Sequence, residues 1–545
     1  MTLAHNFALY YAGDAYSTAD KIMGRQSAGK ALMKGVARTW PQGVVYGLGP
    51  DDHCAQQMRN QLQADGFRGE IKWSLVPGWE TAKICGALYY PAPPSRELAA
   101  VRDLGRPGAF SFMGVTHTLS SARAMDQIAE LVLPPFRPWD ALICTSQAAQ
   151  TFVSRMHDEL RAYWQQATGA TRFADIQLPV IPLGVDVPAF SPQPDLRDRA
   201  RDSLAISASE TAFLFAGRLS FHAKVNPVPV YQALQKIGVD RSVVCIEAGV
   251  FPNEPVRQAY LSAQKALAPA VRFIWIDGQD ETRYQQAWRG ADVFVSLSDN
   301  IQETFGLTPV EAMAAGLPVV VSDWNGYKDT VRHGVDGFRI PSVLPPAGVG
   351  ADLAMGHALG LDTYDMYVGR TSLATVVDPD ALVEALRLLA TNPALRQSFG
   401  AAAQARAQSD FDWPVILQRY CELSSQLNEM RKRHEVVPAQ PWPQRADPFH
   451  RFAHFSSATL GGNWRVTVQA DAQARFQALL QLSVTNYGLD PKYLTRDALS
   501  AVLSVAARPD GATVNAVLSA AGLGAPMGVK ALMWLWKFDL VRVQL

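Results

Sequence analysis

Short apolar runs recur along the chain, at 7–11, 109–118, 139–146, 211–216, 242–248, 271–276, 293–297 and 319–321, separated by longer mixed segments. Runs of this length, apolar on both faces, predict parallel strands covered by helices. The clearest unit is 291–321. Residues 293–297 predict a buried strand and a polar loop follows. A helix then starts with Thr308 as N-cap, Pro309 at the first helical position and Glu311 three residues after the cap. Gly316 and Pro318 stop it, and 319–321 returns to the sheet. In open α/β sheets ligands bind at the carboxyl ends of strands beside helix N-termini, so the loop 299–307 is the first candidate site.

Composition narrows the classes. A chain of 545 residues with 48% hydrophobic content has room for several buried cores. Lys plus Arg and Asp plus Glu each total 50, which removes a global field toward nucleic acid or anionic lipid. The first eleven residues lack a basic and apolar leader pattern, and no apolar run is long enough to span a bilayer, so a cytoplasmic protein is expected, with peripheral membrane contact left open. The five cysteines are scattered without CxxC spacing, which predicts reduced thiols and no metal site.

The two acids Glu303 and Glu311 are separated by seven residues, within Glu303-Thr-Phe-Gly-Leu-Thr-Pro-Val-Glu311 followed by Ala312-Met-Ala-Ala-Gly-Leu-Pro-Val319. This stretch resembles the E-x7-E signature of retaining glycosyltransferases of family 4. The resemblance extends over about residues 1–430 through His117 at the end of a predicted strand, the segment 180–186, and Gly217-Arg218 with Lys224 six residues later. It implies a GT-B fold, two doubly wound parallel-sheet domains facing across a cleft, here followed by a small, mainly helical C-terminal domain. Two cations at the end of a strand suit a pyrophosphate on chemical grounds, Arg as a fork and Lys as a point charge.

The resemblance implies His117, Glu303, Arg218 and Lys224 as the catalytic set. It implies Gly24, Arg25, Gly217, Arg218, Lys224, Glu303, Thr304, Phe305, Gly306, Leu307 and Glu311 as donor contacts, with Gly24 and Arg25 in a loop leading into a helix near Ser27. In this reading Glu303 meets the donor sugar and Glu311 the ribose. The chain departs from the family at Asn226-Pro227, where a glycine is common, and at Gly326-Tyr327 and Asp329. Residues 343–371 form an insert, read as a cover over the cleft. Asp378-Pro-Asp380 and Asp410-Phe-Asp412 are formal metal-binding strings in a context that argues against that role. Pro182 and Gly184 read as a turn.

The expected organisation is 1–190 on the acceptor side, 191–412 for the donor, 413–432 as a helix crossing back to the first domain, a linker at 433–465 and a winged-helix-like unit at 466–545. Apolar residues at helical spacing near 499–506, 514–521 and 529–536, then a strand at 540–543, carry that last reading. Its third helix holds only Lys530 and Lys537 as cations, which favours self-association or a protein partner over nucleic acid. The expected partners are a nucleotide-diphosphate sugar and a glycan, lipid-linked or small-molecule acceptor, with no cofactor or metal required. The rival readings are a nucleotide-sugar epimerase of similar fold and a non-catalytic sugar-nucleotide sensor.

Overall fold

The computed structural model describes residues 4–16, 24–434, 442–508 and 512–544. The chain forms two compact units, Met1–Gln440 and Pro441–Leu545.

Unit one contains two six-stranded sheets. The first consists of β1 (Ala8–Tyr10), β2 (Val44–Gly49), β3 (Glu70–Leu75), β4 (Ala87–Tyr90), β5 (Ser111–Val115) and β6 (Ala141–Ile143), in the order β3-β2-β1-β4-β5-β6. The second holds β7 (Thr211–Ala216), β8 (Val243–Gly249), β9 (Arg272–Asp277), β10 (Val293–Ser296), β11 (Val319–Ser322) and β12 (Gly337–Ile340), in the order β12-β11-β10-β7-β8-β9. All neighbours are parallel, and both sheets have the doubly wound order of dinucleotide-binding domains. Every residue of β8 and of β10 is buried, as expected of largely apolar strands covered on both faces, with Glu247 in β8 and Ser296 in β10 as their polar members. Strand order reverses between β1 and β4 in one sheet and between β7 and β10 in the other. Ligand crevices open at such points.

The helix Trp413–Arg433 follows the second sheet and lies on the first. Asn428 Nδ2 donates to Cys85 O at 3.0 Å, Arg431 Nη1 to Gly108 O at 2.9 Å, and Ser424 Oγ to Asn6 O at 2.9 Å. Its first residue, Trp413, is 1% exposed and wedged between two glycines. A Cβ on Gly35 would lie 2.5 Å from Trp413 Cβ, and one on Gly184 would lie 2.3 Å from Trp413 Cδ2. This corrects the reading of Gly184 as a turn residue: its φ lies outside the left-handed region, and the missing side chain makes room for an indole. Around this wedge Lys34 and Arg38 pair with Asp186 at 2.6 and 2.9 Å, and Arg38 also reaches Asp412.

The region 433–465 holds more structure than a linker, with short turns of helix at Pro443–Arg445, Pro448–Arg451 and Ala453–Phe455. In unit two, a strand Arg465–Val468 pairs antiparallel with Val541–Gln544. Helices Ala472–Leu479, Arg496–Ala506, Val514–Ala520 and Ala525–Lys537 surround a core that includes Val466, Phe476, Leu499, Val502, Leu532 and Leu535. Among the described residues no single helix is long and apolar enough to cross a membrane.

Candidate active site

The loops leaving β7 and β10 meet at the reversal point of the second sheet. The β7 loop begins at Gly217, where φ is 144°, and carries Arg218 and Lys224. The β10 loop carries Asn300, Gln302 and Glu303. The Lys224 ammonium donates to Glu303 Oε2, with the two side chains 21% and 12% exposed. Burial pushes the Glu303 carboxyl up. The Lys224 charge and hydrogen bond, with the N–H groups of Phe305 and Thr304, outweigh it and hold the carboxyl below its ordinary range. Arg218 Nη2 donates to Gln302 Oε1 at 3.0 Å and to Ala223 O at 3.3 Å. Asn300 fastens the two loops by donating to Lys224 O, while its Oδ1 accepts from Gln302 N at 3.0 Å and its carbonyl accepts from Trp324 Nε1 at 2.9 Å.

The next helix is Leu307–Ala314, with Gly306 as its N-cap at φ 90°. This overturns Thr308 as the cap. Thr308 lies inside the helix, and its hydroxyl meets no hydrogen-bond partner among the described residues. A Cβ on Gly306 would stand 2.1 Å from Tyr327 Cε1, so both the backbone angle and the packed ring require glycine. Glu311 is therefore no capping-box residue. It is half-buried, and burial raises its carboxyl to about 7 against a smaller opposing pull from Lys224.

His117 follows β5 and meets this loop from the first domain: Thr304 Oγ1 donates to His117 O at 2.6 Å. Ser146, the N-cap of the 22-residue helix Gln147–Thr168, donates through Oγ to Thr304 O at 2.8 Å. Asp329 reaches the same helix start, accepting from Gln147 N at 2.5 Å. The structure thus gathers His117, Arg218, Lys224, Glu303, Thr304, Phe305, Gly306, Leu307 and Glu311 around loops that touch. Gly24 opens the helix Gly24–Thr39, and part of the preceding loop, 17–23, lies outside the described residues, as does the placement of the Arg25 side chain.

Sequence reasoning did not single out Asn300 or Gln302, although both sit inside the candidate loop; it marked Tyr364 within the insert and Ser146 at the end of a strand without giving either a role. The insert folds as helices Ala351–Ala358 and Tyr364–Leu373. Tyr364 Oη lies 2.8 Å from Ser120 Oγ and 3.2 Å from Thr118 Oγ1, on the loop that bears His117. Three of the four acids of the two DxD strings are engaged elsewhere. Asp378 caps the helix Pro379–Thr391, Asp410 pairs with Arg406 at 3.2 Å, and Asp412 pairs with Arg38. Among the described residues no group of three or more His, Cys, Asp or Glu side chains is arranged to hold a metal ion.

This architecture is GT-B, and residues 197–346 match the model of the family glycosyl transferases group 1. Among curated relatives, the D-inositol 3-phosphate glycosyltransferase of Streptomyces griseus is 28% identical over 293 residues, 49% of this chain and 54% of that one. The phosphatidyl-myo-inositol mannosyltransferase of Mycobacterium leprae is 29% identical over 332 residues, 60% of this chain and 70% of the relative. The chain thus spans about half the length of the first of these. The crystal structure of Anabaena HepE in complex with UDP aligns over 77% of this chain and 99% of its own, with a TM-score of 0.52 at 18% identity. A glycosyltransferase from Rickettsia africae aligns over 77% and 98%, with a TM-score of 0.52 at 11% identity.

Proposed function

We propose that the chain transfers a sugar from a nucleotide-diphosphate sugar to an acceptor hydroxyl with retention at the anomeric carbon. The observation that carries this reading is the Lys224–Glu303 ion pair, set at the strand-order reversal and held against the His117 loop. In that pair each charge compensates the other while no donor is bound. A donor replaces both halves: its diphosphate takes Lys224 and Arg218, and a sugar hydroxyl takes Glu303. Glu311, one helical turn deeper, accepts from the ribose diol. Gly217 and residues 304–307 bring backbone close to the donor, and Gly24 and Arg25 approach the reacting sugar from the first domain.

In this mechanism the bond from the anomeric carbon to the diphosphate oxygen breaks as Arg218 and Lys224 neutralise the leaving charge. A diphosphate oxygen takes the acceptor's proton, and the acceptor oxygen attacks from the face the leaving group vacates. His117 borders the transferred sugar. Residues 1–190 present the acceptor and 191–412 hold the donor. The relatives named as inositol-phosphate and phosphatidylinositol glycosyltransferases support a glycan, small-molecule or lipid-linked acceptor, and in this reading the chain works in the cytoplasm or peripherally at a membrane surface. Exposed Val484 and Tyr487 support association through 466–545.

The test is proton NMR of the product made from an α-linked donor. A newly formed α-linkage supports the proposal, and a β-linkage excludes retention. An epimerised donor in the absence of acceptor would identify an epimerase, and binding without turnover a sensor.

A further inference from the structure

The helix Tyr364–Leu373 touches both domains of unit one. Tyr364, Val368 and Ser372 fall on one face at a spacing of four residues, with Val368 and Ser372 buried while Leu373 is 80% exposed. At one end, Tyr364 bonds with Ser120 and Thr118 in the first domain. At the other, Ser372 hydrogen-bonds with Asp299, which opens the donor loop. Between them Gly369 is pressed on the β7 loop, where an added Cβ would lie 3.1 Å from His222 Cβ. His357 stacks on Tyr367 at 4.5 Å and fastens the preceding helix to this one.

From this strap, and resting on the transfer reaction proposed above, we infer that Tyr364 is a positioning residue. It fixes the 116–120 loop, and with it His117, against the donor loop. Thr304 holds the same loop at the His117 carbonyl, so Tyr364 supplies the second and third points that stop it pivoting. Its hydroxyl acts at a distance from the nucleotide, and its loss lowers turnover without weakening donor binding.

The test compares wild type, Tyr364→Phe and Ser120→Ala by amide hydrogen exchange without ligand. Turnover is then measured with whichever of UDP-glucose, GDP-mannose and ADP-glucose the wild type consumes. The ring is retained in Tyr364→Phe, so the fold and melting temperature are expected to be kept. Losing the hydroxyl is expected to speed exchange in 116–121 by about fivefold, as for one net hydrogen bond, with exchange in β2 unchanged. The kcat is expected to fall by a similar factor at constant KM, and a variant combining Tyr364→Phe with Ser120→Ala to be no worse than either single one. Wild-type exchange in 116–121 of Tyr364→Phe overturns the inference, as does a raised KM with normal kcat. If wild type consumes none of the three sugars, the transfer proposal is what fails, and the exchange comparison still decides whether Tyr364 holds the loop.

Discussion

Lys224 and Glu303 come from loops on adjacent strands, β7 and β10, and pair where the strand order of the second sheet reverses. The carboxylate is screened from water and the ammonium is its charge partner, so neither charge is left buried and uncompensated. In the proposed function a diphosphate arriving at this point finds a cation already drawn into a low-dielectric crevice.

In the proposed mechanism Lys224 stabilises the charge that grows on the leaving diphosphate, and Glu303 orients the sugar and holds Lys224 in place. Lys224→Ala and Glu303→Ala are each expected to lower kcat/KM by about a hundredfold or more, the scale of a lost electrostatic stabiliser. Circular dichroism and melting should show both variants folded. Near-normal turnover in both would dismiss the site assignment. In wild type the depressed Glu303 carboxyl adds stability that is present above its ordinary unfolded value of 4.5 and lost as pH falls below it. Melting curves between pH 3 and 6 should show that loss, reduced in Glu303→Gln.

Glu311 behaves in the opposite sense. Its folded carboxyl is raised to about 7 from 4.5, so folding loses stability as pH rises from 4.5 to 7, with the full cost present above 7. Glu311→Gln should flatten that slope. A diol donates best to the ionised carboxylate, so affinity for a nucleotide sugar, whose diphosphate does not titrate in this range, should rise as pH passes about 7. Calorimetric titration at pH 6 and 8 checks this, and an equal slope in Glu311→Gln would remove Glu311 from the ribose contact.

Gly306→Ala should be costly in two ways. Left-handed backbone disfavours a side chain by about 1–2 kcal/mol, and the new Cβ would overlap Tyr327. A clear fall in melting temperature is expected, with weakened donor binding because the helix that carries Glu311 starts at this residue. An unchanged melting temperature would show that the loop relaxes freely.

Gly184→Ala tests the wedge between the crossover helix and the domains. The substituted Cβ would collide with the Trp413 ring in a closely packed core, and overpacking of this kind typically costs about 1–3 kcal/mol. Denaturant unfolding of unit one should register it. No change would mean that Trp413 has another place to go.

Much of this arrangement was legible because the strand runs and the loop acids are local signals. The run 211–216 and the strand Thr211–Ala216 coincide, since a nearly continuous buried run needs no distant partner to be read. The start of the helix after β10 was not legible. Thr308, Pro309 and Glu311 mimic a capping box, while the true cap at Gly306 depends on Tyr327 packing across from another loop. Gly184 was misread for the same reason, its partner Trp413 lying far along the chain. The insert gave weak periodicity because Ala351–Ala358 buries no residue. The strand Arg465–Val468 was missed although its polar and apolar residues alternate, because its partner Val541–Gln544 lies at the far end of unit two.

The most direct test of a nucleotide-sugar site is calorimetric titration of wild type and Arg218→Ala with UDP-, GDP- and ADP-sugars. The proposed site predicts binding of one nucleotide class by wild type and a loss of about tenfold or more in Arg218→Ala, since a charge-assisted hydrogen bond is worth about 1.5–3 kcal/mol. Equal affinity in the two proteins, or no binding of any of the three by wild type, would contradict it.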